Sequence, residues 1–233
     1  MRYRLLCCSD THGAPPPALD ETGAVAWLHA GDANNGPTAV GDGSDPLADP
    51  LREHAARWFI DRPIPLWVVR GNHDGGDDLR AFADGRDFTG RVVRVAPRLL
   101  VAGIGWHGER YFELPFEADL AKACDAVACQ ARRLLMPDDR LILLTHYPAR
   151  YPEVRDVEGD RDGAGAWYNC VRDVIEEFRP LVVVQGHVHR WAGTSFTAAA
   201  GDRQVLALFP GPTGAVVTID PEAGTAEHEW AQR

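Results

Sequence analysis

Five short apolar runs in this chain each end, within a few residues, in side chains that bind metal ions or move protons. Tyr3–Cys8 leads to Asp10 and His12, and Ala24–Leu28 leads to Asp32. Leu66–Val69 leads to Asn72, His73 and Asp74, Leu141–Leu144 to His146, and Leu181–Val184 to His187 and His189. Imidazole, carboxylate and amide oxygen without thiolate make a mixed nitrogen and oxygen set, suited to Mn, Fe, Zn, Co or Ni rather than Ca or Mg. Asp10, His12, Asp32, Asn72, His146, His187 and His189 exceed the needs of one tetrahedral zinc. They suffice for two divalent or trivalent ions that share a carboxylate, a class of site whose ions lie ~3.5–4 Å apart and clamp both the attacking and leaving oxygens. Such a centre stays positive even after hydroxide binds, so it attracts a phosphate oxygen. Any one of these residues alone reads equally well as an ordinary loop or cap residue. Their joint occurrence at the ends of apolar runs is what points to a site.

Those runs must be strands. Near-continuous apolar segments of this length suit strands buried on both faces, and Leu99–Ile104 is a sixth. Helical patterns over Leu51–Ile60, Phe116–Leu135 and Trp167–Phe178 lie between them. Strands interleaved with helices imply an α/β fold, in which sites form beyond the carboxyl ends of the strands. The separate runs should therefore deliver their side chains to one edge of a sheet. After His189, Trp191–Phe196, Gln204–Phe209 and Ala215–Ile219 read as short antiparallel strands, and the tail from Asp220 reads as short and polar. The Gly/Pro/Asp-rich stretch from Asn34 to Pro50 reads as a loop. No repeat or boundary interrupts the pattern, which predicts one domain over residues 1–233.

The segments Asp10-Thr11-His12, Gly31-Asp32-Ala33-Asn34-Asn35, Gly71-Asn72-His73-Asp74, Leu143-Leu144-Thr145-His146-Tyr147 and Gly186-His187-Val188-His189 resemble the motifs of the calcineurin-like metallophosphoesterases, in family order and across nearly the whole chain. The resemblance implies a four-layer α/β/β/α sandwich. It also implies that Asp10, His12 and His189 bind one metal, that Asn72, His146 and His187 bind a second, and that Asp32 bridges them. His73 would sit over the phosphate as general acid, since an unperturbed imidazole titrates near pH ~6.5. Some relatives carry Asp where this chain has Asn35. An amide can orient an imidazole but cannot stabilise imidazolium with a full charge, so a preference for good leaving groups is expected.

The net charge of −10 and the lack of a visible basic stripe argue against a nucleic-acid partner. No stretch is long enough to span a membrane, and the apolar part of the first residues is too short for a signal peptide. Five cysteines without zinc-site spacing read as buried free thiols, which fits a reducing, cytoplasmic setting. Cys7 and Cys8 are adjacent in a strand and should face opposite ways.

Beyond the ligands and His73, Asn35, Arg190 and His107 are candidate substrate contacts. Asp74 reads as structural, because its neighbour fills the catalytic slot. The segment 147–167, with Arg150, Arg155 and Arg161, reads as a solvated loop or as a lid over the site. His29, His54 and His228 have weaker claims to function.

The expected activity is metal-dependent hydrolysis of a small phosphorylated substrate, first a phosphodiester, by hydroxide activated at a dinuclear centre. A phosphomonoesterase or nucleotide pyrophosphatase on the same centre is the alternative. So is a scaffold that kept the fold and lost catalysis, and oligomeric state is left open.

Overall fold

The computed structural model describes residues 1–15, 17–33, 63–74, 87–106, 117–151 and 168–231. Eleven strands among them form two sheets. The first sheet has the order β11-β10-β1-β2-β3, with β1 (Tyr3–Cys8), β2 (Ala24–His29), β3 (Leu66–Val68), β10 (Ala215–Asp220) and β11 (Thr225–Trp230). The second has the order β4-β5-β6-β7-β9-β8, with β4 (Arg91–Ala96), β5 (Leu99–Ile104), β6 (Arg140–Thr145), β7 (Val182–Gln185), β8 (Thr194–Ala200) and β9 (Arg203–Phe209). Within the first sheet β1, β2 and β3 run parallel; within the second β5, β6, β7 and β9 do.

Side-chain alternation divides the apolar residues among layers. Leu5, Cys7, Ala26 and Leu28 of the first sheet meet Val101, Ile142, Leu144 and Val184 of the second. The other face of the second sheet, with Leu100, Ala102, Leu141, Leu143 and Val183, packs on two helices, α1 (Glu117–Leu134) and α2 (Asn169–Phe178). Each buried Leu, Ile or Val among them contributes roughly 1.5–3 kcal/mol by leaving water. Helix α1 buries Leu120, Cys124, Val127, Ala128 and Ala131 at helical spacing, with Glu117 and Asp119 in its first turn and Arg132 and Arg133 in its last, the charge order its dipole favours. Helix α2 ends at Arg179, whose φ of 48° and N–H bond to the Ile175 carbonyl close the last turn. Pro180 then prevents its continuation.

The architecture is thus two face-to-face sheets flanked by helices, in agreement with the α/β/β/α sandwich that the resemblance implies, and it amends the reading of individual segments in several places. The parallel strands are divided between the two sheets, and all of them end at the same edge. β4 and β11 are additional strands, so most of the tail after Asp220 is an edge strand. Trp191 closes a short 3-10 turn, His189–Trp191, and β8 begins at Thr194. Cys7 and Cys8 do face opposite ways, into different core clusters, but Cys129 is exposed and Cys170 half-buried, so not all five thiols are interior. The helix read at Leu51–Ile60, the loop read at Asn34–Pro50, and Asn35, His54, His107, Arg155 and Arg161 lie outside the described residues.

Candidate metal centre

Both sheets deliver donors to the shared carboxyl edge. From the first come Asp10 and His12 after β1, Asp32 after β2, and Asn72 and His73 after β3; from the second come His146 after β6 and His187 and His189 after β7. The loops after β1 and β2 stay paired beyond the strands, through Asp10 N–H to Gly31 O (2.9 Å) and His12 N–H to Asp32 O (3.0 Å). The backbone is held in an unusual shape there. Asp10, His12, Asp32 and His187 have φ of 53°, 47°, 53° and 70°, a left-handed conformation costly for side chains larger than Gly and concentrated at functional sites.

Glycines make the crowding possible. A Cβ at Gly31 would lie 2.6 Å from His146 Nδ1, and one at Gly186 would lie 2.5 Å from the Ala30 carbonyl and 3.0 Å from Asp10 Oδ2. A Cβ at Gly71 would run into Asp32 Oδ1. Each of these glycines directly precedes a donor residue and opens one of the motifs read in the sequence.

The donor atoms converge in two groups. One atom each from Asp10, His12, Asp32 and His189 all lie within 4.8 Å of one another, with His12 Nε2 3.1 Å from His189 Nε2. In the other group Asn72 Oδ1 lies 3.1 Å from His146 Nε2 and 3.0 Å from His187 Nδ1, and Asp32 Oδ2 lies 3.5 Å from His146 Nε2. Asp32 belongs to both. The structure therefore brings the seven side chains singled out as ligands together at one edge.

Protonation chemistry says what the second group can hold. His146 Nδ1 faces the Ala30 carbonyl at 2.9 Å, and because a carbonyl only accepts, that nitrogen carries the proton. Burial holds His146 down to about 3, against the pull of the Asp10 charge, so the ring is neutral and its Nε2 bears a lone pair. That lone pair points at the oxygens of Asn72 and Asp32. Electron-rich atoms facing one another in a buried space are stabilised by a cation between them, and the donor set fits a borderline transition ion.

The two carboxylates differ. Burial alone would raise Asp10, but the hydrogen bond from His189 and the charges of His146 and His189 hold it well below the usual range. Asp32 is pushed well above that range by burial and by the charges of Asp74 and Asp10. Bound cations would reverse that penalty and keep Asp32 ionised. Asp74 is fully buried, and its Oδ2 accepts the Gly71 N–H at 3.0 Å, the structural role expected of it.

His73 stands at the mouth. Its backbone N–H donates to Asp32 Oδ1 at 2.8 Å, its ring packs edge-on against His12 at 4.6 Å, and its Nε2 lies 4.0 Å from Asp32 Oδ2. Arg190, a candidate substrate contact, is exposed beside His189. Two neighbours escaped the sequence reading as supports of the site. Thr11 Oγ1 lies 3.0 Å from buried His29 Nε2, and the buried Tyr147 ring lies 4.9 Å from the His146 ring and 5.5 Å from that of His187. Neither has a sequence signal beyond standing next to a ligand.

Residues 3–191 match the family model described as calcineurin-like phosphoesterase. The chain belongs to the calcineurin-like phosphoesterase family. Solved structures of similar fold include a protein from Thermus thermophilus at 18% identity and TM-score 0.58, with 100% of each chain covered. A phosphopantetheinyl hydrolase from Mycobacterium tuberculosis matches at 13% identity and TM-score 0.53, over 89% of each chain. A putative 5'-nucleotidase from Staphylococcus aureus, solved with alpha-ketoglutarate, matches at 15% identity and TM-score 0.53, over 100% of this chain and 54% of its own. At these identities the likeness is one of fold. No functionally curated sequence is similar enough to count as a match. Membership makes the chain a metal-dependent phosphoesterase by family, and the Asp/His cluster is where its metal would sit.

Proposed function

We propose that the protein hydrolyses a small phosphodiester at a dinuclear centre, with His73 as general acid. The observation that carries this reading is the convergence of seven donors into two groups that share Asp32, with His73 at their open side. Asp10, His12, His189 and Asp32 would hold one ion, and Asn72, His146, His187 and Asp32 the other. Two such ions would supply Lewis acidity toward a phosphoryl oxygen and lower the pKa of water. The chain's own part is positioning and proton transfer. The half-exposed rings of His12, His73 and His189 leave one side open to substrate, while Asn72, His146 and His187 are buried behind it. As water attacks phosphorus in line, His73 gives its proton to the departing oxygen, a contribution of about 10²–10⁴ in rate. Asn35 is proposed to orient His73, and Arg190 and His107 to contact substrate.

The diester preference rests on charge. Among the described residues near this edge, the Arg70 guanidinium is taken by Asp87 at 2.9 Å, while Arg190 beside His189 is exposed. A diester monoanion asks for less compensation than a monoester dianion. A reducing, cytoplasmic setting and a Mn- or Fe-type metal pair complete the proposal.

The test is a phosphoester panel on protein loaded in turn with Mn, Fe, Co, Ni or Zn. An aryl phosphodiester should be turned over faster than the matching aryl monoester or a nucleoside monophosphate. Faster monoester turnover would reject the diester preference alone. No turnover of any phosphoester with any metal would reject catalysis and leave a scaffold.

A further inference from the structure

The opposite end of the parallel strands carries a cavity rich in arginine. A cavity of about 410 Å³ there is lined by Arg140 at the start of β6, Arg179 at the end of α2, Leu181, Arg203 and Gln204 of β9, and Gly224 in the β10–β11 turn. That volume falls within the range of small-molecule pockets. Arg140 and His146 stand at the two ends of one strand, so the cavity lies roughly 20 Å from the metal centre.

Its charge is unbalanced. Among the described residues, the one acid paired with these three arginines is Asp202, whose Oδ1 lies 2.5 Å from Arg179 Nη1. Other acids nearby in the chain are committed elsewhere. The Asp139 carboxylate accepts from both terminal nitrogens of Arg94 (2.8 and 2.7 Å) and from Met136 N–H (2.9 Å), so Arg140 reaches only the Asp139 carbonyl, at 2.9 Å. Asp220 accepts the N–H groups of Glu222 and Ala223 at 3.1 and 3.0 Å and lies 3.7 Å from Arg2 Nε. Glu222 pairs with the N-terminal amine at 3.3 Å. Two positive charges therefore gather without carboxylate partners among the described residues, in a chain of net charge −10, an arrangement a bound anion would stabilise.

Two guanidinium groups are also braced. Gly201 and Gly224, at φ of 60° and 67°, occupy hairpin turns where a Cβ would stand 3.1 Å from Arg179 Nε and 3.4 Å from Arg140 Nε. These side chains lie along glycine backbone, which restricts the freedom they would lose on binding. The guanidinium fork matches phosphate oxygens in pairs.

We propose that this cavity binds a compact phosphate-bearing anion of at least two negative charges, either inorganic diphosphate or the phosphate tail of a nucleotide. The proposal is independent of the metal centre and of the substrate read there. Calorimetric titration of the full chain with inorganic diphosphate and, separately, with a non-hydrolysable nucleoside triphosphate analogue tests it. Both are run at matched ionic strength, before and after chelator treatment. The expected result is a binding event that survives chelation and weakens by about tenfold or more in R140Q/R203Q. Phosphoester turnover by the metal-loaded variant should stay unchanged. A stronger event with the analogue assigns the nucleotide, and an equal or stronger one with diphosphate assigns the inorganic ion. Equal affinity in R140Q/R203Q overturns the proposal, as does the absence of chelator-resistant binding by either ligand below ~1 mM. Arg203 is exposed, so R203Q alone provides a variant whose folding is not in question.

Discussion

The Asp10 carboxylate accepts the backbone N–H of His187 at 2.9 Å, across 177 residues of chain. Asp10 follows a strand of one sheet and His187 follows a strand of the other, so this bond fastens the two sheets at the edge where the donors meet. Asp10→Ala should therefore lose metal and also destabilise the metal-free protein by roughly 1–3 kcal/mol, the cost of leaving a buried N–H without its acceptor. Asp10→Asn keeps an acceptor oxygen and should lose metal with a smaller stability change. Metal analysis and chemical denaturation of both variants check this; equal stability losses would show that the bond does not matter.

Two substitutions divide metal holding from proton transfer. Asp32→Ala should abolish both metal retention and turnover, because Asp32 stands in both donor groups. His73→Ala should retain metal and lose about 10²–10⁴ in turnover. Retained activity in Asp32→Ala, measured beside the metal content of the same preparation, would place the centre elsewhere.

The glycines offer a steric comparison. Gly186→Ala puts a methyl group 2.5 Å from the Ala30 carbonyl and 2.9 Å from His146 Nδ1. It should cost roughly 1–3 kcal/mol or more and weaken metal retention. Gly23→Ala meets nothing within 4 Å but keeps a φ of 70°, so it should cost only about 1 kcal/mol of backbone strain and leave metal untouched. Denaturation midpoints and metal content rank the pair.

Burial holds His29 down to about 4, below the ordinary value near ~6.5. The unfolded chain then takes up a proton before the folded one does as pH falls. This neutral ring contributes fully above pH ~6.5, and its contribution declines as pH falls from there toward 4, by roughly 3 kcal/mol at most. His29→Gln should flatten the acid side of the stability profile. Urea unfolding at several pH values checks this, and parallel profiles for the two proteins would reject it.

The strands that position the site were legible because burial on both faces leaves an uninterrupted apolar run, as in Tyr3–Cys8 and Leu141–Leu144. β11, Thr-Ala-Glu-His-Glu-Trp, was not, since an edge strand with an exposed face alternates with charge. The donors were legible as polar residues directly after those runs. How they are held was not. The left-handed backbone at Asp10, His12, Asp32 and His187, the Asp10–His187 bond and the lone pair on His146 depend on contacts between segments far apart in the chain. The division of the parallel strands between two sheets was legible only through the motif resemblance, because runs buried on both faces look alike whichever sheet they join.

Asn72, His146 and His187 lie in the interior, whereas His189 is 55% exposed at its side chain. Ions seated in the two donor groups would therefore leave on different clocks. The outer one would exchange with the medium quickly and take its identity from whatever metal is abundant, while the inner one would be fixed early and lost last. If both groups are filled, a protein of mixed metal content would follow from that asymmetry, with the composition recording the history of the preparation.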